Sequence, residues 1–320
     1  MRYLSGIQPS GLPHLGNYFG AMRQHILRQR GNECFYFIAD FHALTTVREP
    51  QALRSFVREL AVDYLAVGLD PGRTVFFRQS DVPEVTELAW ILSTLTPMGL
   101  LERCHSFKDK KAKGIEPSHG LFAYPVLMAA DILIYDSQKV PVGEDQIQHV
   151  EVARDIAGYF NRAYGQALVL PEHEIEPASA SVPGIDGQKM SKSYQNTIEM
   201  FATEKEIKKR VMAITTDSKG VADPKEPEEN TIFRLYKLMA SAEETARMAE
   251  RFRAGGFGYG EAKAELLRKI LEFFGPFRAA REKLLADPAR VDHVLQDGSR
   301  RAREVARAAL DRVRLASGLA

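Results

Sequence analysis

Arg2-Tyr3-Leu4-Ser5-Gly6-Ile7-Gln8-Pro9-Ser10-Gly11-Leu12-Pro13-His14-Leu15-Gly16-Asn17 is the stretch that decides the fold class of this 320-residue chain. Arg2 to Ile7 reads as a short strand, stopped by the turn residues Gln8-Pro9-Ser10-Gly11. Leu15, Tyr18, Phe19, Met22 and Ile26 then recur at three-four spacing, a helix that Gly31 ends. Cys34-Phe35-Tyr36-Phe37-Ile38 is a short continuous apolar run, the mark of a strand buried on both faces. Pro50 opens the next helix, with Leu53, Phe56, Val57, Leu60, Tyr64 and Leu65 on one side, and Gly68 closes it. Val75-Phe76-Phe77 is a third strand. Strand and helix in alternation predict an α/β fold, a parallel sheet with helices on its faces.

Residues 82–137 are mostly helical in pattern and read as an insertion before the strand Lys139 to Val142. A long helix from Asp145 to Tyr164 follows, closed by Gly165. Pro171, Pro177, Pro183, Gly184 and Gly187 mark an irregular connection. Beyond 197 the patterns are helical only: Thr203 and Glu206 form a capping box, 213–230 reads as a loop, and helices are expected over 231–254, 259–286 and 298–316. The chain thus divides into a sheet domain, 1–185, and a helical domain, 186–320, whose last helix could return to the sheet domain.

Composition excludes several classes. Hydrophobic residues make up 45% and charged residues 27%, the balance of an ordinary globular protein. The net charge of +1 gives no global basic field, so any RNA contact must come from local clusters. Cys34 and Cys104 lie far outside zinc-ligand spacing and no Cys/His cluster surrounds them, so neither a zinc nor an iron–sulfur site is expected. No signal peptide precedes the first strand and no apolar run is long enough to span a membrane, which predicts a cytoplasmic protein.

The opening turn has chemistry of its own. Unpaired N–H groups at a helix start, with the positive end of the helix dipole, receive phosphate. Gly11 and Gly16 admit close backbone approach, and His14 and Asn17 can donate to charge developing on a phosphate oxygen. Taken alone, the stretch is also just a strand-to-helix turn, and it carries neither a Walker lysine nor a G-x-G-x-x-G pattern.

Its weight comes from a second stretch, Lys189-Met190-Ser191-Lys192-Ser193, at the junction of the two domains. Two lysines on a loop there can close on a triphosphate and neutralise it. In this order the two stretches resemble the ATP-binding signatures of class I aminoacyl-tRNA synthetases. Gly6 to Gly11 with His14-Leu15-Gly16-Asn17 resembles the HIGH-type motif as tryptophanyl-tRNA synthetases write it. Asp40 to Thr45, Tyr124 to Leu133, Val140 to Gln146 and Gln148 to Ala157 are similar to further blocks of that family. The similarity is dense from Ser5 to Asn196 and looser beyond, through Thr215-Thr216-Asp217-Ser218.

The resemblance implies a Rossmann-type catalytic domain, a helical domain that reads the anticodon, and a homodimer formed through the insertion. It implies that Gln8, Pro9, Ser10, Gly16 and Asn17 line the ATP phosphates and ribose. Gly143, Glu144 and Asp145 would hold the adenosine side, and Val182 would lie near the adenine. Lys189, Met190, Ser191, Lys192 and Ser193 would close over the triphosphate. Lys110, which has three other lysines close by, matches a mobile phosphate-contacting lysine. His14, Asn17, Lys189, Lys192 and Lys110 are the catalytic candidates on this reading, with Mg²⁺ carried on the phosphates.

The choice of amino acid turns on one group. The indole N–H only donates, so a buried acceptor must meet it. Asp131 sits among Leu127, Met128, Ile132, Leu133 and Ile134, where an ionised acid needs a partner. Gln146 could orient it or hold the substrate ammonium. Tyr124, Met128, Val140 and Val142 would wall the ring, and His42 is a further candidate. A tyrosine site must answer a hydroxyl that donates and accepts, and the tyrosine branch usually shows Gly-Ser-Asp-Gln where this chain has Gly143-Glu144-Asp145-Gln146. The expected reaction is activation of L-tryptophan by ATP, then transfer to tRNA(Trp). Tyrosine activation, another adenylate-forming enzyme, and a paralogue that binds tryptophan without charging tRNA stay as alternatives. The arginines Arg300, Arg301, Arg303, Arg307, Arg312 and Arg314 could track RNA phosphates or could pair with acids elsewhere, as could Lys205, Lys208, Lys209 and Arg210.

Overall fold

A computed structural model describes residues 1–104, 118–143, 146–175 and 182–319. The chain opens with β1 (Arg2–Ile7), α1 (Leu15–Asn17), a π-helical turn (Tyr18–Met22) and α2 (Arg23–Arg28). β2 (Glu33–Ile38), α3 (Asp40–Ala43), α4 (Pro50–Ala66) and β3 (Thr74–Arg78) follow, then a 3-10 turn, Gln79–Asp81. The helical insertion contributes α5 (Glu84–Ser93), α6 (Met98–Glu102) and α7 (His119–Leu133). β4 (Lys139–Val142), α8 (Ile147–Tyr164) and β5 (Glu172–Ile175) complete the sheet half.

The sheet runs β3-β2-β1-β4-β5 and every pairing is parallel. Its order doubles back at β1, with β2 on one side and β4 on the other, so a crevice opens beyond the carboxyl ends of those strands. Along β2, Cys34, Tyr36 and Ile38 join one core, and Phe35 and Phe37 join the other. This two-sided burial is why the strand reads as a continuous apolar run.

β5 replaces part of the expected irregular connection. Its sequence Glu172-His173-Glu174-Ile175 is charged because it pairs on one side only, at the sheet edge. Propensity therefore hides it.

The helical half holds α9 (Glu204–Met212), α10 (Thr231–Lys237), α11 (Ala242–Ala254), α12 (Tyr259–Ala286) and α13 (Pro288–Ser317). The single helix expected over 231–254 is two, because Ser241 and Glu244 form a second capping box. The last helix begins ahead of residue 298, with Asp287 accepting from Arg290 N and Pro288 in its first turn.

α13 lies back on the edge strand β3. A Cβ on Gly298 would stand 1.8 Å from the carbonyl oxygen of Phe76, so only glycine permits the contact. Ala302, Ala306, Ala309, Leu310 and Val313 enter the same core as Phe77 and Val85. The arginines of α13 work at this seam: Arg303 and Arg307 bind Glu84, Arg312 binds Asp136, Arg314 binds Glu87, and Arg301 donates to Pro71 O at 2.8 Å. Arg300 pairs within its own helix, with Asp297 and Glu304. Of the two readings of this arginine row, the structure places it in pairing with acids and carbonyls. Cys34 and Cys104 are buried free thiols, and among the described residues no helix is long and apolar enough to cross a membrane.

Candidate active site

The crevice holds a cavity of about 450 Å³, bounded by β1, α3, α7, β4 and the start of α8. Gln8, His42, Tyr124, Met128, Asp131, Val140, Val142 and Gln146 all line it. These residues come from separate parts of the chain and meet because the strands end together there.

Asp131 is 1% exposed and its carboxylate is held by two side chains. Gln79 Nε2 donates to Oδ1 at 2.8 Å and to Oδ2 at 2.9 Å, and His42 Nε2 lies 2.8 Å from Oδ2. Burial pushes the Asp131 carboxyl above the usual carboxylate range, and His42 and Gln79 pull the other way. Gln79 is buried too and was missed by sequence reasoning. Its only signal is a polar side chain directly after a strand, at the carboxyl end of a parallel sheet. Among the described residues these two partners orient the acid; Gln146, at the N-cap of α8, lines the same cavity. Two turns earlier on the same helix, Tyr124 packs edge-to-face on His42, and its hydroxyl lies 3.1 Å from His149 Nε2. Gln8 Nε2 donates to Thr46 Oγ1 at 3.2 Å and to His42 O at 3.3 Å, closing the wall nearest the opening turn.

The lysine loop docks on that opening turn. His14 and Glu199 form an isolated antiparallel bridge, Leu15 N donates to Ile198 O at 2.9 Å and Met200 N to Pro13 O at 3.2 Å. Lys192 Nζ lies 3.3 Å from the position a Cβ on Gly11 would take, and Gly11 has φ +124. A Cβ on Gly16 would stand 2.9 Å from the His14 ring and 3.4 Å from Met190 Cβ. Both glycines therefore hold the turn and the loop face to face. His14 is 6% exposed, and its Nδ1 is buried with no hydrogen-bond partner among the described residues. Burial, with Lys192 acting the same way, brings its pKa down to about 4, so the ring is neutral at neutral pH. Burial also lowers Lys192. Asn17 Oδ1 accepts from His14 N at 3.0 Å.

The loop itself is built around Asn196, a second residue the sequence did not single out for a role. Asn196 is 1% exposed; its Oδ1 accepts from Ser191 N at 2.7 Å. Its Nδ2 donates to Asp186 Oδ1 at 2.8 Å and to Lys189 O at 3.1 Å. A Cβ on Gly184 would stand 2.3 Å from Asn196 Cγ. Met190 N donates to Val182 O at 2.8 Å, so Val182 and Met190 are buried together beneath the loop. Ser191 and Ser193 hydroxyls lie 2.8 Å apart. Pro9 is buried and Ser10 exposed in the turn, and Gly143 is exposed at the end of β4. Lys110, Glu144 and Asp145 lie outside the described residues.

Residues 1–275 match the family described as tRNA synthetases class I (W and Y). The chain belongs to that family. A curated tryptophan–tRNA ligase of Rhodopirellula baltica is 58% identical over 319 residues, covering 100% of both chains. One from Fusobacterium nucleatum is 55% identical over 95% of this chain and 94% of its own. Among solved structures, tryptophanyl-tRNA synthetase from Campylobacter jejuni, complexed with ADP and tryptophan, superposes with a TM-score of 0.95 at 47% identity, covering 100% of both chains.

Proposed function

We infer that the protein is a tryptophan–tRNA ligase, which activates L-tryptophan with ATP and transfers it to tRNA(Trp). The observation that carries the choice of amino acid is Asp131, a buried and oriented carboxylate lining the cavity beside Met128, Ile132, Val140 and Val142. It suits a ring that offers one N–H donor. Full-length likeness to curated tryptophan enzymes supports the same choice over tyrosine.

On this reading Tyr124, Met128, Val140 and Val142 enclose the indole, and Gln146 with His42 stands beside the amino and carboxylate groups. Gln8 separates this compartment from the nucleotide. Phosphates lie between the opening turn and the lysine loop, where His14, Lys189, Lys192 and helix N–H groups supply donors. The carboxylate of tryptophan attacks the α-phosphorus in line and pyrophosphate leaves. The terminal ribose hydroxyl of the tRNA then attacks the activated carbonyl and AMP leaves. No protein nucleophile takes part; positioning and charge neutralisation lower the barrier. Mg²⁺ would be carried on the nucleotide's phosphates, where it would help to neutralise their charge beside Lys189 and Lys192.

We place the division between catalytic and helical domains near residue 185. Lys205, Lys208 and Lys209, exposed on α9, are the candidates for tRNA contact. Trp90 and Met98, 72% and 63% exposed in the insertion, support a homodimer through that face, which sedimentation of the purified chain tests. We assign the protein to the cytoplasm on the same reading, since its substrate tRNA(Trp) is used there in translation. The deciding experiment is ATP–pyrophosphate exchange with tryptophan against tyrosine, followed by charging of total tRNA. Exchange and charging with tryptophan alone are expected; exchange with tyrosine overturns the reading.

A further inference from the structure

We propose that Gln79 is a positioning residue for tryptophan selection: its side-chain amide holds the Asp131 carboxylate at the angle from which it accepts the indole N–H. The inference rests on the functional reading above and deepens it.

The amide has one possible orientation. Gln79 Oε1 accepts from Phe41 N at 3.1 Å, so Nε2 must face Asp131, where it meets both oxygens. An acid in an apolar wall keeps its charge only when donors surround it. Among the described residues the amide and the His42 ring hold this acid, and the amide reaches both oxygens. A carboxylate held this way presents its remaining lone pairs in one fixed direction. A protonated or rotated acid presents a donor as readily as an acceptor, and so would stop distinguishing a ring N–H from other ring edges.

The turn that carries Gln79 is fastened on both sides. Asp40 Oδ1 accepts from Ser80 N at 2.9 Å. Asp81 Oδ2 accepts from Arg78 Nε at 2.8 Å and from Ser299 Oγ at 2.9 Å. Ser299 lies on α13, so the C-terminal helix is part of what sets the angle of an acid in the amino acid pocket.

The test compares tryptophan with its benzothiophene analogue, in which sulfur replaces the ring N–H. Gln79→Met keeps the length and removes the donor. In ATP–pyrophosphate exchange, kcat/KM for tryptophan should fall about 10–100-fold. The analogue should change by less than about 3-fold, and KM for ATP should hold. In an Asp131→Asn background the same substitution should add nothing further, since it acts through that acid. Gln79→Leu, which also removes the donor without adding charge, serves the same comparison should the methionine variant fail to fold. Equal loss for both amino acids, additive loss in the double variant, or no change at all overturns the inference. If the unaltered protein does not activate tryptophan, the functional reading fails and this inference falls with it. Activation with unchanged discrimination in the variant overturns the inference alone.

Discussion

The two ends of the cleft are finished to different degrees. At the tryptophan end each buried polar group already has a partner: Asp131 has Gln79 and His42, Gln79 has Phe41 N, and Tyr124 has His149. At the phosphate end His14 Nδ1 is buried without one among the described residues, and Lys192 is drawn close enough to lower it further. A pocket that must select one ring is built before the ring arrives. A pocket that must neutralise a triphosphate keeps a buried, neutral ring nitrogen and a desolvated lysine side by side until the phosphates come. Substitutions at the first end should change which amino acid is used. Substitutions at the second should change how fast it is activated.

The sharpest break between the ends is Lys192→Ala. Activation should slow by about 10²–10³-fold, the usual cost of losing one oriented charge at a transition state. KM for tryptophan should stay within about 3-fold. Pre-steady-state exchange measures both. An equal loss of tryptophan affinity would show that the loop shapes the amino acid end as well, and the contrast would collapse.

Asn196→Ala tests whether the loop is held or merely close. Three hydrogen bonds from this buried amide fix Ser191, Asp186 and Lys189. Their loss should lower the activation rate about 10–100-fold, as misplacement of a catalytic group does. It should also reduce stability by about 1–3 kcal/mol, since one backbone N–H and two oxygens lose this partner. Thermal unfolding and exchange rates together check the pair of effects. A stability loss with an unchanged rate would make Asn196 a scaffold residue only.

These two asparagine and glutamine roles mark the limit of what the sequence discloses. The turn at Gln8 to Gly11, the lysine loop and Asp131 are legible because each is odd in its own neighbourhood: glycines before a helix, paired lysines, an acid in an apolar run. Gln79 and Asn196 are ordinary where they stand. Gln79 meets Asp131 across 52 residues, and only the ending of β3 beside α7 makes them partners. The strand and helix alternation was legible because burial on both faces imposes long apolar runs. β5 was not, since an edge strand has one neighbour and keeps its charges. The seam under α13 depends on Gly298 against Phe76, a contact no local pattern announces.

A gentler probe of the selective end is Tyr124→Phe. It removes the hydrogen bond to His149 and keeps the ring that packs on His42. KM for tryptophan should rise about 2–10-fold with the activation rate at saturation unchanged. A rate effect larger than the KM effect would place the hydroxyl in the chemical step and blur the division of labour.

The smallest expected effect is a flat line. His14 has a pKa of about 4 in the folded protein, held down first by burial and then by Lys192. Between pH 6 and 9 the activation rate should carry no inflection from this ring, which stays neutral throughout. The stability sign follows from the same shift. The unfolded chain takes up a proton on His14 near its ordinary pKa, about 6.5, before the folded protein does. The contribution of a neutral His14 is thus fully present above that value and drains away as pH falls toward 4. His25, lowered to about 3 by complete burial, acts in the same direction, so His14→Asn should remove only part of the slope. NMR titration of the His14 ring reads the pKa directly. Addition of ATP should move it upward, because phosphate charge opposes both causes of the depression. A ring that titrates near 6.5 without nucleotide would mean that Lys192 does not crowd it, and the phosphate end would then be no more poised than the pocket beside it.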